Sequence, residues 1–193
     1  MKKFVFDEGE FSYYRKDQLV ESRGEIIPPN SYLNGGKISV FISHKHDDLE
    51  ELRSIIGFLE SNYNVKCYID SRDPSLPKTT SGETAHRIKG RIDNCKKFIL
   101  MATEGAIDSK WCNWELGYGD AKKYRDHIAI FPLKKKDSYN YKGNEYMEIY
   151  PYISYYGQGE IYTGGTPITP GYYVCVKNEK EYYITSLAEW LNK

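Results

Sequence analysis

The sequence has no run approaching the ~18 consecutive apolar residues that a membrane-spanning helix needs, and its opening residues hold no apolar core of a secretory signal. No membrane partner is expected, and the cytoplasm is the expected compartment. Cysteine is scarce: Cys67, Cys95, Cys112 and Cys175 stand apart, with no C-x-x-C pair. That spacing argues against a zinc ribbon or a disulfide framework and fits buried free thiols in a reducing compartment. Charge of one sign is also lacking, with 27 basic residues against 27 acidic ones and no basic stripe. The longest basic run, Lys134-Lys135-Lys136, follows an apolar segment and reads as its solvated end. Nothing here suits a nucleic-acid backbone as a partner.

What the sequence does have is tyrosine. The chain of 193 residues, long enough for one domain with a well-buried core, carries 19, and 12 of them fall between Tyr139 and Tyr183. With few Leu, Ile or Val among them, this stretch reads as an irregular surface extension whose rings pack while their hydroxyls reach water. An aromatic surface facing a ligand or partner is the other reading.

Residues 1–36, polar and broken by "IIPPN" and "NGG", read as an N-terminal extension with room for one short strand. The β-branched apolar run "KISVFIS" (37–43) then has the look of a strand buried on both faces. Asp47 or Asp48 can cap a helix whose apolar positions Leu49, Leu52, Ile55, Ile56, Leu59 and Tyr63 follow the 3.6-residue period. "VKCYID" (65–70) is the second strand, and "SRDPSLPKTTSG" (71–82) is a loop by its prolines and small polar residues. Ala85, Ile88 and Ile92 share one face of a second helix. "KFILMAT" (97–103) is the third strand, "SKWCNWELGYGDAKKY" (109–124) the third helix and "HIAIFPL" (127–133) the fourth strand. "YYVCV" (172–176) and "ITSLAEWL" (184–191) read as a last strand and a last helix capped by Thr185 or Ser186.

Strands alternating with helices predict βαβ units. The expected fold is a flavodoxin-like doubly wound parallel sheet over 37–193. Its core lies at 37–134, a tyrosine-rich insertion at 135–171, and a closing strand and helix at 172–193. Ligands of such sheets sit beyond the carboxyl ends of the strands. Here that means the loops after Ser43, Asp70 and Thr103 and the start of the third helix.

Several chemistries fail at that crevice. A dinucleotide cofactor wants G-x-G-x-x-G after the first strand, and this chain has "SHKHDD". A phosphate-accepting receiver domain wants an aspartate ending the third strand, which ends instead in Ala102-Thr103. His44-x-His46-Asp47-Asp48 has no third metal ligand at useful spacing, so no metal is expected and the imidazoles read as solvent-exposed. His86 and His127 stand alone and read as structural.

The third helix carries the sharpest pattern. Trp111 and Glu115 are four residues apart and share a face, and Trp114 lies about 100° around the helix from Glu115. Such a helix can aim flat rings and a carboxylate at one cavity. On spacing alone, core indoles and a solvated glutamate are the favoured reading. Gly117 and Gly119 point to close packing or a kink.

Residues 37 to about 134 resemble a TIR (Toll/interleukin-1 receptor) domain. "KISVFISHKHDD" is similar to its first signature, "SRDPSLPK" to its Arg-Asp-x-x-Pro loop, and "SKWCNWEL" to the W-x-x-x-E helix of its enzymatic branch. The loop departs in having no glycine after the proline. The tail from "GNEYMEIYP" to "ITSLAEWL" resembles that of bacterial stand-alone TIR proteins.

The resemblance implies cleavage of NAD+ between nicotinamide and ribose, with NAD+ as substrate and no further cofactor. Glu115 would be the catalytic carboxylate, with Trp111 and Trp114 binding substrate rings. Ser43 and His44, through backbone groups, would contact phosphate or ribose, and Arg72 would pair with phosphate or with a neighbouring subunit. It further implies self-association through TIR–TIR contacts, and a diffusible nucleotide acting on a separate effector in Thoeris-like anti-phage defence. Whether the product is ADP-ribose or a cyclic isomer depends on how well water is excluded, and the segment 139–183 is expected as a lid. A non-enzymatic TIR scaffold assembling through 72–78 and a nucleoside N-glycosyl enzyme on a similar sheet are the alternative readings.

Overall fold

The apolar run at 37–43 forms the centre of the sheet. The computed structural model describes residues 1–16, 33–34, 36–69, 82–123, 125–138, 141, 143, 145–177 and 182–193. Within them the chain runs β1 (Phe6–Asp7), β2 (Leu33–Asn34), β3 (Lys37–Ser43), α1 (Leu49–Asn62), β4 (Val65–Tyr68), α2 (Gly82–Asn94), β5 (Lys97–Ala102), α3 (Glu104–Ile107), α4 (Lys110–Lys122), β6 (Ile128–Lys134), β7 (Tyr152–Tyr156), β8 (Gly171–Lys177), β9 (Tyr182–Ser186) and α5 (Leu187–Asn192).

β3 is buried from Ile38 to Ser43 and pairs in parallel with both β4 and β5, with Ile38 opposite Val65 and Ser43 opposite Leu100. β5 pairs with β6 and β6 with β7, again in parallel. The parallel order β4-β3-β5-β6-β7 is the doubly wound order expected from the sequence, with its switch point between β3 and β5. α1 and α5 cover one face through Leu52, Ile55, Leu59, Leu187 and Trp190. α2 and α4 cover the other through Ile88, Ile92, Cys112 and Leu116. No helix among the described residues is long and apolar enough to cross a membrane.

The two ends of the chain differ from expectation. The tyrosine-rich stretch supplies strands: β8 runs antiparallel to β7, and β9 antiparallel to β8. Ile184, Thr185 and Ser186 belong to β9, and the last helix starts only at Leu187, where Ser186 Oγ accepts from the Glu189 N–H at 3.2 Å. Antiparallel neighbours need no crossover helix, so strand–helix alternation carries no trace of them. Tyr156 is buried within this layer, so β7–β9 are walls of the sheet rather than a free lid. At the other end, β1 pairs with β6, and Phe6 and Phe11 are fully buried in the core.

Candidate active site

α4 is tied down at its start. Ser109 Oγ accepts from the Cys112 N–H at 3.3 Å, and Asn113 Nδ2 donates to the Ile107 carbonyl at 3.0 Å. With 100° per residue, Cys112, Leu116 and Gly119 face the sheet and are buried. Gly119 lets the helix approach closely there, because a Cβ would lie 3.2 Å from the Phe98 ring, a tight contact. Trp111, Trp114 and Tyr118 occupy the neighbouring strip and are half-buried. Glu115 falls between the two strips.

Its carboxylate is fully buried, and Ser43 Oγ donates a hydrogen bond to Oε2. Of the favoured reading from spacing, core indoles beside a solvated glutamate, the second half is therefore overturned, while Trp111 and Trp114 pack half-buried against the core on the α2–α4 face. Glu115 turns inward, where the carboxyl end of β3 offers it a hydroxyl donor. Ser43 meets Glu115 through its side chain, a contact the sequence did not suggest. Glu115 does not line the large cleft that the described residues form beside α3.

His44 is also inverted. Its ring is 3 % exposed, with Nδ1 3.3 Å from the Ile42 carbonyl, while His46 stays exposed as expected. The imidazole is folded back onto its own strand. Asp48 stands at the N-cap of α1, but its side chain caps nothing. It accepts instead from Thr103 Oγ1 at 2.5 Å, while the same Thr103 oxygen accepts from the Ala106 N–H at 3.1 Å. The ends of β3 and β5 are thus each fastened to a carboxylate. The sequence reading placed Thr103 only at the end of its strand, because pairing with Asp48 depends on the parallel register.

The aromatic strip continues beyond the residues anticipated. The Trp111 and Trp114 ring centroids are 4.9 Å apart, and Tyr118 stacks on Trp114 at 6.1 Å and 20°. Lys89 Nζ from α2 lies 5.8 Å from the Trp114 centroid and 5.1 Å from that of Tyr118. Tyr118 OH reaches both carboxylate oxygens of Asp93, at 2.9 and 3.1 Å. Burial first, and then this carboxylate, push the phenol up to about 12. Tyr118 was legible only as the next ring one turn along; its partner on α2 was not. Arg72 and Asp70 lie outside the described residues.

A buried carboxylate at the switch point, with a half-buried indole one turn earlier on the same helix, can support cleavage at a centre that develops positive charge. The family profile described as TIR domain matches residues 40–159. The chain belongs to the TIR domain family. It is 35 % identical over 121 residues to "Probable 3' cyclic ADP-D-ribose synthase ThsB'" of Bacillus cereus (strain MSX-D12), covering 60 % of each chain. It is 26 % identical over 119 residues to "Putative cyclic ADP-D-ribose synthase TIR2" of Cytobacillus dafuensis, covering 56 % of this chain and 31 % of that protein. The matched stretch spans less than two thirds of either relative.

Proposed function

We propose that this chain cleaves NAD+ at the bond between nicotinamide and ribose and releases a cyclic ADP-ribose isomer, with ADP-ribose as the hydrolytic by-product. The observation that carries the reading is the placement of Glu115 against Ser43 at the switch point, with Trp111 one turn away. The names of the two relatives agree with it.

The chemistry needs one carboxylate. Nicotinamide leaves as a neutral molecule from a cationic parent, so no acid need protonate it, unlike the leaving oxygen of an ordinary glycoside. Positive charge grows on the anomeric carbon as the bond breaks. A carboxylate that accepts from the ribose hydroxyls stabilises that charge in a site of lowered dielectric. Trp111 offers a face for the pyridinium, on the scale of roughly 0.5–2 kcal/mol. Glu115 already accepts from a hydroxyl, that of Ser43, so a ribose hydroxyl substitutes for a contact of the same kind. The reaction calls for no cofactor. Arg72 is assigned to a phosphate of the substrate, and the backbone of His44 at the end of β3 to phosphate or ribose. Self-association, a cytoplasmic setting and a nucleotide signal to a separate effector belong to the same reading.

The complete burial of Glu115 favours one other reading, a TIR scaffold without catalysis. The two are separated by incubating concentrated protein with NAD+ and following nicotinamide and the cyclic product by mass spectrometry, with Glu115→Gln alongside. The enzymatic reading expects turnover in the native chain and a loss of about 10²–10³ in the variant. No product from a self-associated sample leaves the scaffold, whereas equal product from both proteins would take the catalytic role away from Glu115.

A further inference from the structure

Between α3 and the N-terminal segment lies a cleft of about 1010 Å³ that none of the proposed catalytic residues lines. Phe4 and Val5 form one wall, Ile107 and Ile130 another, and Met147 and Tyr152 complete it. Ile107 and Ile130 are each 3 % exposed and Met147 is 6 % exposed, whereas Phe4 is 42 % exposed at the mouth. A space of this size, with a buried apolar floor and an open entrance, suits a small organic molecule.

Its charge narrows the choice. Glu104, Asp108 and Glu148 line the cleft, and among the described residues no Lys, Arg or His does. Lys135 engages Glu104 at 3.3 Å. Asp108 and Glu148 are exposed, with no cationic partner among the described residues. The described lining thus disfavours a pyrophosphate beside Asp108 and Glu148 and favours a cation there.

The same wall already holds an ammonium group. Lys2 Nζ lies 4.4 Å from the Phe4 ring centroid, 4.5 Å from that of Tyr156 and 4.8 Å from that of Tyr182. Phe4 also packs on Tyr152, centroids 6.0 Å apart, and the Tyr152 and Tyr182 hydroxyls meet at 3.2 Å. Cage and cleft are therefore parts of one aromatic layer, and the chemistry that layer favours is visible in its hold on Lys2.

We propose that this cleft binds a small organic cation with an aromatic or branched apolar body and no phosphate. The body lies against Phe4, Met147 and Tyr152, and the cationic head faces Asp108 and Glu148. The site stands whether or not the chain cleaves NAD+.

Benzyltrimethylammonium is a suitable probe, with benzyl alcohol as its neutral counterpart and benzenesulfonate as its anionic one. Calorimetric titration of the full chain should give saturable binding of the cation alone, with amide shifts in an NMR spectrum centred on Ile107, Asp108 and Glu148. The surface pair D108N/E148Q should weaken binding about tenfold, on the scale of cation–π and ion-pair contacts. Met147→Trp, which fills the floor, should abolish it. If Met147→Trp does not fold, the exposed pair still decides the matter. Absence of saturable binding, equal binding of benzenesulfonate, shifts that map elsewhere, or undiminished affinity in D108N/E148Q would each overturn the proposal.

Discussion

Ser43 and Glu115, 72 residues apart in sequence, share a buried hydrogen bond at the carboxyl end of β3. A buried carboxylate depends on its donors far more than an exposed one, because losing a donor leaves the desolvation of the acceptor uncompensated. The Ser43 hydroxyl therefore positions Glu115 as well as stabilising the sheet.

Ser43→Ala should lower stability by about 1.5–3 kcal/mol, the range for hydrogen bonds to charged groups. It should also slow NAD+ cleavage, because the carboxylate loses its fixed orientation. A double-mutant cycle with Glu115→Ala, which removes the acceptor, isolates the pair, and a coupling of about 0.5–3 kcal/mol is expected from denaturant melts. Strict additivity of the two substitutions would show that the contact carries nothing.

Two glycines on α4 should behave oppositely. A Cβ at Gly117 meets nothing within 4 Å, so Gly117→Ala should stabilise the fold by about 0.5–1 kcal/mol through helix propensity. A Cβ at Gly119 would sit 3.2 Å from Phe98, a ring fully buried and stacked on Phe41 with centroids 5.6 Å apart. That ring must yield by a few tenths of an ångström within the packed core, so Gly119→Ala should destabilise by about 1–3 kcal/mol. Thermal melts of the two variants, read side by side, give the comparison, and equal shifts would contradict the packing account.

The contrast also shows what the sequence could reveal. β3 was legible because a strand buried on both faces reads as an unbroken apolar run. α1 was legible because Leu52, Ile55, Ile56 and Leu59 recur at the helical period and all are buried. Glu115 was visible as a residue, but its burial was not, since it depends on a serine that only the folded sheet brings near. β7 to β9 were hidden by their own composition. Tyr152, Tyr156 and Tyr182 join hydroxyls at 2.8 and 3.2 Å, so residues that resemble an irregular wet layer satisfy one another across neighbouring strands, with only Tyr156 buried. Phe6 and Phe11 were hidden for a different reason. Phe6 ends a run of only three apolar residues and Phe11 follows after four polar or glycine positions, so no period marks a short segment that docks through two rings.

That docking can be tested at Gly57. A Cβ there would lie 1.8 Å from the Tyr14 carbonyl oxygen, so the segment that follows Phe11 crosses α1 only because residue 57 has no side chain. Gly57→Ala gains helix propensity but must expel a backbone atom, and a net loss of about 1–3 kcal/mol is expected. Hydrogen exchange should rise at the Tyr14 and Arg15 amides, which are bonded to Phe11 and Ser12 carbonyls. Unchanged protection there would mean that the segment is not held by α1.

Lys97 sets the pH dependence at the opposite end of the sheet. Its side chain is fully buried at the start of β5, with Nζ 3.4 Å from the Asp126 carbonyl and 4.6 Å from the Trp190 ring centroid. Burial first, and then the nearby Lys96, lower its pKa from 10.5 to about 8. A folded value below the unfolded one means that the unfolded chain holds more protons between about 8 and 10.5. The contribution of this lysine to stability therefore rises with pH across that window, and its full penalty is present below it. Lys97→Met removes the penalty while keeping the stem. It should raise stability at pH 7 by an amount on the order of 1–3 kcal/mol, offset in part by the lost bond to Asp126. The advantage should shrink as pH climbs from about 8 to about 10.5, because the native lysine is then neutral. Urea melts of both proteins at intervals across this range provide the check. A gap between them that stays constant with pH would place the cost of Lys97 in packing rather than in charge.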